Sequence, residues 1–262
     1  MITNSFVFLK NISTTREASL WRNGILTWHQ FIQTPSIRSI SDMQKQEYDA
    51  ILKLAEKHYR IQNHEFFTLN LPAKEHWRMY PMLKEKCCFL DIETTGLDKH
   101  RNRITTIAVY DPAKKRTKVF INGQNLTREN LIKELENYAM VVTYNGDQFD
   151  LPFMEHHFSL GLNYASFDLR WAGRRVELTG GLKSIEKQLN ITRGDDVEGV
   201  DGREAVRLWK KWELNGDKEA LDTLVLYNSE DVIHLKTIAD IVYSRLQESS
   251  LGRYLNRPRK DC

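Results

Sequence analysis

Two acids stand two residues apart at the end of an apolar run, Cys87-Cys88-Phe89-Leu90-Asp91-Ile92-Glu93, and this pair is the first feature of the chain able to do chemistry. In an extended strand the side chains alternate faces, so Asp91 and Glu93 point to the same side. Carboxylates gathered beside an apolar run repel each other unless cations neutralise them, and oxygen-only ligands suit Mg²⁺ or Mn²⁺. A strand end running into a polar loop would give the same pair without a metal. The spacing alone leaves both readings open.

A second block, Tyr144-Asn145-Gly146-Asp147-Gln148-Phe149-Asp150-Leu151-Pro152, stops an apolar strand at an Asn-Gly turn and sets Asp150 where the next helix begins, with Pro152 in its first turn. Capping that helix is an ordinary job for aspartate and is compatible with metal binding. Asp147, inside the turn, reads as stabilising it. The third block, Tyr227-Asn228-Ser229-Glu230-Asp231, lies within a long helical pattern. There the i to i+4 spacing puts the Tyr227 phenol and the Asp231 carboxylate on one face. Standing alone, it would read as a surface aspartate beside a packing tyrosine.

The elements that must position these residues follow from the apolar pattern. Strands are expected at 87–92, 104–110 and 117–121 as a meander, then at 140–144 and 164–169. Helices are expected at 128–138, 152–160, 182–189, 202–212 and 218–246. Five strands, antiparallel first and then joined by helices, indicate an α/β fold with a mixed sheet flanked by helices. Residues 1–84 have a helical texture instead: a helix over 15–21, a turn at Asn23-Gly24, a second helix after it, another at 41–58, and a connector over 71–81. This first stretch resembles, weakly, the helix-hairpin-helix-type segments at the head of some nucleases. The plainer account is a small helical cap packing its Trp and Phe residues. The expected organisation is a helical region over 1–84, a catalytic domain over 85–248 and a basic tail over 249–262, with disorder expected over 253–260.

Composition narrows the setting. The formal charge is only +3, so a nucleic-acid partner would need a local basic patch. Three cysteines, Cys87, Cys88 and Cys262, form no CxxC pair and fit a reducing interior. No long apolar run suggests a membrane span, and the expected location is cytoplasmic. His156-His157 lack a spaced partner for a rival metal centre and read as helix surface.

Taken together, Asp91-Ile92-Glu93-Thr94-Thr95-Gly96-Leu97, Asn145 to Asp150 and Tyr227 to Asp231 resemble the three motifs of the DEDD exonuclease superfamily. The branch resembled is DEDDy, since Tyr227 stands four before Asp231; a histidine branch would want His where Leu226 stands. Phe167-Asp168-Leu169, Gly180-Gly181-Leu182-Lys183-Ser184-Ile185-Glu186-Lys187 and the segment 209–215 are similar to YprB-like ribonuclease H-like domains, over about residues 86–247. The resemblance implies a ribonuclease H-like fold, two divalent cations, Mg²⁺ or Mn²⁺, no nucleotide cofactor, and hydrolysis of phosphodiester bonds from the 3′ end of single-stranded DNA or RNA. In that scheme Asp91 would bridge both ions, Glu93 and Asp231 would hold the ion carrying the nucleophile, Asp150 would support the second, and Tyr227 would orient the attacking water.

Candidate nucleic-acid contacts are Thr94, Asn145, Phe149, Lys183, Arg170, Arg174 and Arg207. Arg203, Arg207, Lys210 and Lys211 fall at helical spacing and could follow a phosphate backbone, although a solvated helix face is the plainer reading. Two other functions remain open from the sequence: a structure-directed endonuclease of ribonuclease H type, and a catalytically silent nucleic-acid-binding module.

Overall fold

A computed structural model describes residues 1–197 and 199–255. The chain divides into two compact units, Met1–Leu83 with Tyr243–Cys262, and Lys84–Val242.

The second unit is built on a five-stranded sheet in the order β3-β2-β1-β4-β5. Its strands are β1 (Cys87–Thr94), β2 (Ile104–Asp111), β3 (Arg116–Ile121), β4 (Met140–Thr143) and β5 (Ala165–Asp168). β1 pairs antiparallel with β2 and β2 with β3, while β1–β4 and β4–β5 are parallel, so the sheet is mixed. The loop 95–103 joins β1 to β2 and the shorter turn 112–115 joins β2 to β3, whereas the parallel pairs need crossovers. These contain α5 (Arg128–Leu135) and α6 (Asp150–Phe158). β1 is central, and its first four residues are buried before exposure alternates, with Asp91 and Glu93 on the more open face. The register shifts between Glu93 and Thr94, which ends regular pairing with β2 just past the second acid.

After β5 come α7 (Leu169–Arg174), α8 (Leu182–Gln188), α9 (Gly202–Asn215) and α10 (Lys218–Gln247). Buried Leu224, Tyr227, Asp231, Leu235, Ile238 and Val242 mark one long side of α10 at intervals of three and four. Asp201 starts α9 by accepting from the backbone N–H groups of Arg203 and Glu204, and Gly216 ends it in a left-handed conformation.

The first unit contains α1 (Thr14–Arg22), α2 (Trp28–Gln33), α3 (Asp42–Arg60) and α4 (His64–Asn70). Gly24, at φ +83°, makes the turn between α1 and α2. The indoles of Trp21 and Trp28 donate to the carbonyls of Asn4 and Ser5, so these aromatics serve the unit's own core. The structure departs from the sequence-based expectation at several elements, α7 in the second unit among them. The connector 71–81 holds a 3₁₀ stretch, Ala73–Met79, and α4 was not anticipated. The expected tail is helical as far as it is described: Glu248–Gly252 and Arg253–Leu255 form turns, and Tyr254 lies 5.8 Å from Trp21 between ring centres. Residues 256–262 lie outside the described residues.

Candidate metal centre and active site

The acids of β1 and α10 converge. One ligand oxygen from each of Asp91, Glu93 and Asp231 lies within 4.8 Å of the other two, which is close enough to share a metal ion. The donor set is all carboxylate oxygen, as hard divalent cations require. Asp231 is 3% exposed, while Asp91 and Glu93 keep partial contact with solvent. Removal from water, then repulsion by Asp231 and Asp150, pushes Asp91 and Glu93 well above the ordinary carboxylate range. Burial likewise raises Asp231, although Arg193 works against the shift. Carboxylates so crowded fit a bound cation better than they fit one another.

Asp150 lies outside the group that meets within 4.8 Å, but near enough for its charge to raise Asp91 and Glu93. It does not cap α6; it is the first helical residue, and Phe149 precedes it without a side-chain cap. One Asp150 carboxylate oxygen accepts from the backbone N–H of Ile92, between the two acids of β1, at 3.1 Å. Burial raises its pKa despite that bond. The turn ahead of it is tight: Asn145 is left-handed at φ +68°, and a Cβ on Gly146 would fall 2.4 Å from the Thr143 side chain. Asp168 fastens the same turn by accepting from the backbone N–H groups of Asn145 and Asp147, at 2.9 and 3.2 Å. Asp147 accepts from the Ser166 hydroxyl, consistent with a part in shaping the turn.

Tyr227 is 6% exposed, and burial together with Asp231, Glu93 and Asp91 raises its phenol far above the ordinary value. It is therefore a neutral phenol beside the carboxylates. The Lys183 ammonium and the Arg193 guanidinium lie 5.4 and 5.3 Å from its ring centre.

The candidate substrate contacts separate into groups. Phe149 packs on Phe153 at 5.2 Å between ring centres and also lines a groove of about 640 Å³ with Glu93, Thr94, Leu97, Arg203 and Arg207. Lys210 lines it as well, so three cations of α9 border the same groove as Glu93; Lys211 is not among its lining residues. The Thr94 hydroxyl is committed to the Gly96 carbonyl at 2.7 Å. Arg207 pairs with Glu204 at 3.0 Å. Arg170 donates to the Asn145 side-chain oxygen at 2.5 Å, and Arg174 lies 4.7 Å from the half-exposed Trp171 ring.

Four residues of this centre were missed in the sequence. Asn228, fully buried, donates to Asp91 Oδ2 at 2.7 Å and accepts from the Thr106 hydroxyl at 2.9 Å. Its signal was present: an amide one residue after Tyr227, on the inner stripe of the helix. Arg193 bonds Asp231 and grips Glu186 at 2.9 and 2.7 Å, and Glu186 also meets His234 Nδ1 at 2.8 Å. Arg193 lies between elements, where periodicity offers no guide.

A mixed five-stranded sheet flanked by helices, with acids on its central strand and on a following helix, makes this an α/β domain, and the family it belongs to is shown by its sequence. The RNase_H superfamily model matches residues 88–243, and the chain belongs to that superfamily. All five residues of the DEDD-type resemblance fall inside the matched span. Among solved structures, the chain is similar to the family B DNA polymerase from the hyperthermophilic archaeon Pyrobaculum calidifontis, at TM-score 0.49 and 16% identity, over 66% of this chain. It spans only 27% of the polymerase chain. It is also similar to Brucella melitensis NrnC, at TM-score 0.47 and 19% identity over 67% of this chain and 83% of that one, and to NrnC bound to pGG, at TM-score 0.46 and 18% identity over 66% and 81%. A comparison with curated protein sequences found no match. No described helix is long and apolar enough to cross a membrane.

Proposed function

We propose that this protein is a metal-dependent 3′–5′ exonuclease acting on single-stranded DNA or RNA, with Asp91, Glu93, Asp150 and Asp231 as its metal-holding acids. The observation that carries the reading is the convergence of Asp91, Glu93 and Asp231 to within 4.8 Å from two separate elements. Superfamily membership over residues 88–243 supports it. Direction and the preference for a single strand rest on the DEDDy-type resemblance of the three motif blocks.

Two divalent cations bound there would lower the pKa of the attacking water and offset negative charge on the phosphate. The chain's own part is positional. Asn228 holds Asp91 Oδ2 and leaves its other oxygen for a cation. Asp150, held by the Ile92 N–H, adds a fourth acid beside β1. Tyr227, neutral and fixed on α10 four residues before Asp231, has a hydroxyl able to hydrogen-bond a water at this centre. The groove bordered by Leu97, Phe149 and α9 offers an apolar floor for a base and cations for its phosphates.

The test uses 5′- and 3′-labelled single-stranded DNA and RNA, with closed circles in parallel, in Mg²⁺ and in Mn²⁺. Shortening from the 3′ end with circles untouched is expected, and Asp91→Asn should abolish it. Equal degradation by wild type and Asp91→Asn would remove the proposed site. Cleavage of circles would replace the exonuclease with an endonuclease.

A further inference from the structure

Arg193 is 91% buried by side chain, yet one of its nitrogens, Nη1, is buried without a hydrogen-bond partner. Its other donors are fully engaged: Nε and Nη2 fork onto Glu186, and Nη2 also reaches Asp231. Glu186 is braced in turn by His234. Burial works to raise the Glu186 carboxyl, but the bonds from His234 and Arg193 outweigh it and keep that acid ionised. The guanidinium is thus held in a firm grip with one nitrogen, Nη1, left over. A second cation stands near it, since Lys183 and Arg193 share the Tyr227 ring at 5.4 and 5.3 Å; burial first and Arg193 next lower the Lys183 pKa, while Asp231, Asp201 and Glu186 act to raise it. Two like charges placed together with an unused buried donor describe a locus that an anion would relieve.

Resting on the nuclease reading above, we infer that Arg193 is a phosphate-binding residue of the substrate strand, and that it divides its charge between Asp231 and that phosphate. A guanidinium matches phosphate oxygens by planar, charge-assisted hydrogen bonds, and Nη1 is the donor left for one. While it rests on Asp231, its positive charge weakens the pull of the acid cluster on a divalent cation. When a phosphate draws on the same guanidinium, that opposition falls, so cation and strand bind in a mutually favourable way. A plain structural brace would behave differently, because removing it would disorder Asp231 and weaken cation binding.

The experiment measures two affinities in wild type, Arg193→Gln and Arg193→Lys. Free Mn²⁺ is followed by electron paramagnetic resonance, and a phosphorothioate-linked thymidine pentamer, which resists cleavage, is followed by fluorescence anisotropy with and without Mn²⁺. Arg193→Gln should bind Mn²⁺ about tenfold more tightly and the pentamer about tenfold more weakly, the size of one lost charge-assisted hydrogen bond. Arg193→Lys, which keeps the charge but not the fork, should hold Mn²⁺ near the wild-type affinity and still lose pentamer affinity; it serves if the glutamine variant does not fold. Weaker Mn²⁺ binding by Arg193→Gln, or unchanged pentamer binding by the variant that folds, would overturn the inference. A wild type that takes up no Mn²⁺ would instead defeat the metal-dependent reading, and the pentamer measured without Mn²⁺ would still judge Arg193.

Discussion

Asn228 Nδ2 donates to Asp91 Oδ2 at 2.7 Å, tying the acid at the centre of the sheet to the long helix that carries Tyr227 and Asp231. The same amide accepts from Thr106 on the neighbouring strand, so both of its ends are committed. Asn228 thereby fixes which Asp91 oxygen faces the cluster, and it does so without carrying charge. An aspartate at that position would add a negative group to an already crowded set.

Asn228→Ala should therefore act on two levels. Leaving the buried Thr106 hydroxyl without its partner should cost about 1–3 kcal/mol of stability, readable by urea denaturation. Losing the support of a ligand should weaken Mn²⁺ affinity by about 10–100-fold. Wild-type Mn²⁺ binding by a folded Asn228→Ala protein would show that Asp91 needs no such tie.

The crowded acids also set a pH dependence. Their folded pKa values are raised, to about 7 for Asp150 and about 6 for Asp231, so the folded protein holds protons that the unfolded chain has released. Their contribution to stability in EDTA therefore falls as pH rises from the unfolded carboxylate value, about 4, through these folded values. Asp91→Asn removes one of the repelling charges and keeps an oxygen for Asn228. In EDTA it should melt higher than wild type at pH 8, by about 2–4 °C for a gain of about 1 kcal/mol, with the difference shrinking towards pH 5. Saturating Mn²⁺ should reverse the order, since wild type alone keeps the full ligand set. A melting difference that is flat across pH would mean that the acids are not in conflict.

Much of the second unit could be read in the sequence because its strands and helices carry clear periods. The two-residue spacing of Asp91 and Glu93 and the four-residue spacing of Tyr227 and Asp231 survive directly as shared faces. What was not legible depends on partners distant in sequence. Asp150 read equally well as a helix cap because the N–H it meets belongs to Ile92, an element away. Arg193 and His234 have no local pattern, and only the fold brings them both to Glu186. In the first unit, α4 is a short segment, too brief for a helical period to stand out. The segment at 249–255 read as a tail from its charges, whereas Tyr254 meets an aromatic partner in Trp21.

Tyr227→Phe isolates the phenol oxygen. The ring stays, so the cations above it keep their aromatic neighbour and the helix keeps its packing. If the hydroxyl orients the attacking water, kcat should fall by about 10²-fold or more while Mn²⁺ affinity remains within about twofold. A loss of Mn²⁺ affinity in parallel with rate would move Tyr227 from placing water to supporting the acids.

The first unit offers a separate test, built on a buried charge cluster. Arg78, 1% exposed, pairs with Glu17 at 2.8 Å and with Glu75 at 2.7 Å, and donates to the Ser5 hydroxyl at 3.1 Å. Burial still raises the Glu17 pKa in spite of Arg78, so this acid depends on its partner to stay ionised. Arg78→Met keeps apolar volume but strands that carboxylate, and the loss should be about 3–5 kcal/mol by denaturant unfolding. Adding Glu17→Gln should recover part of it, because the greater cost lies in the uncompensated charge and not in the missing contact. Strictly additive losses in the double variant would mean that Arg78 and Glu17 act independently, contrary to the geometry that joins them.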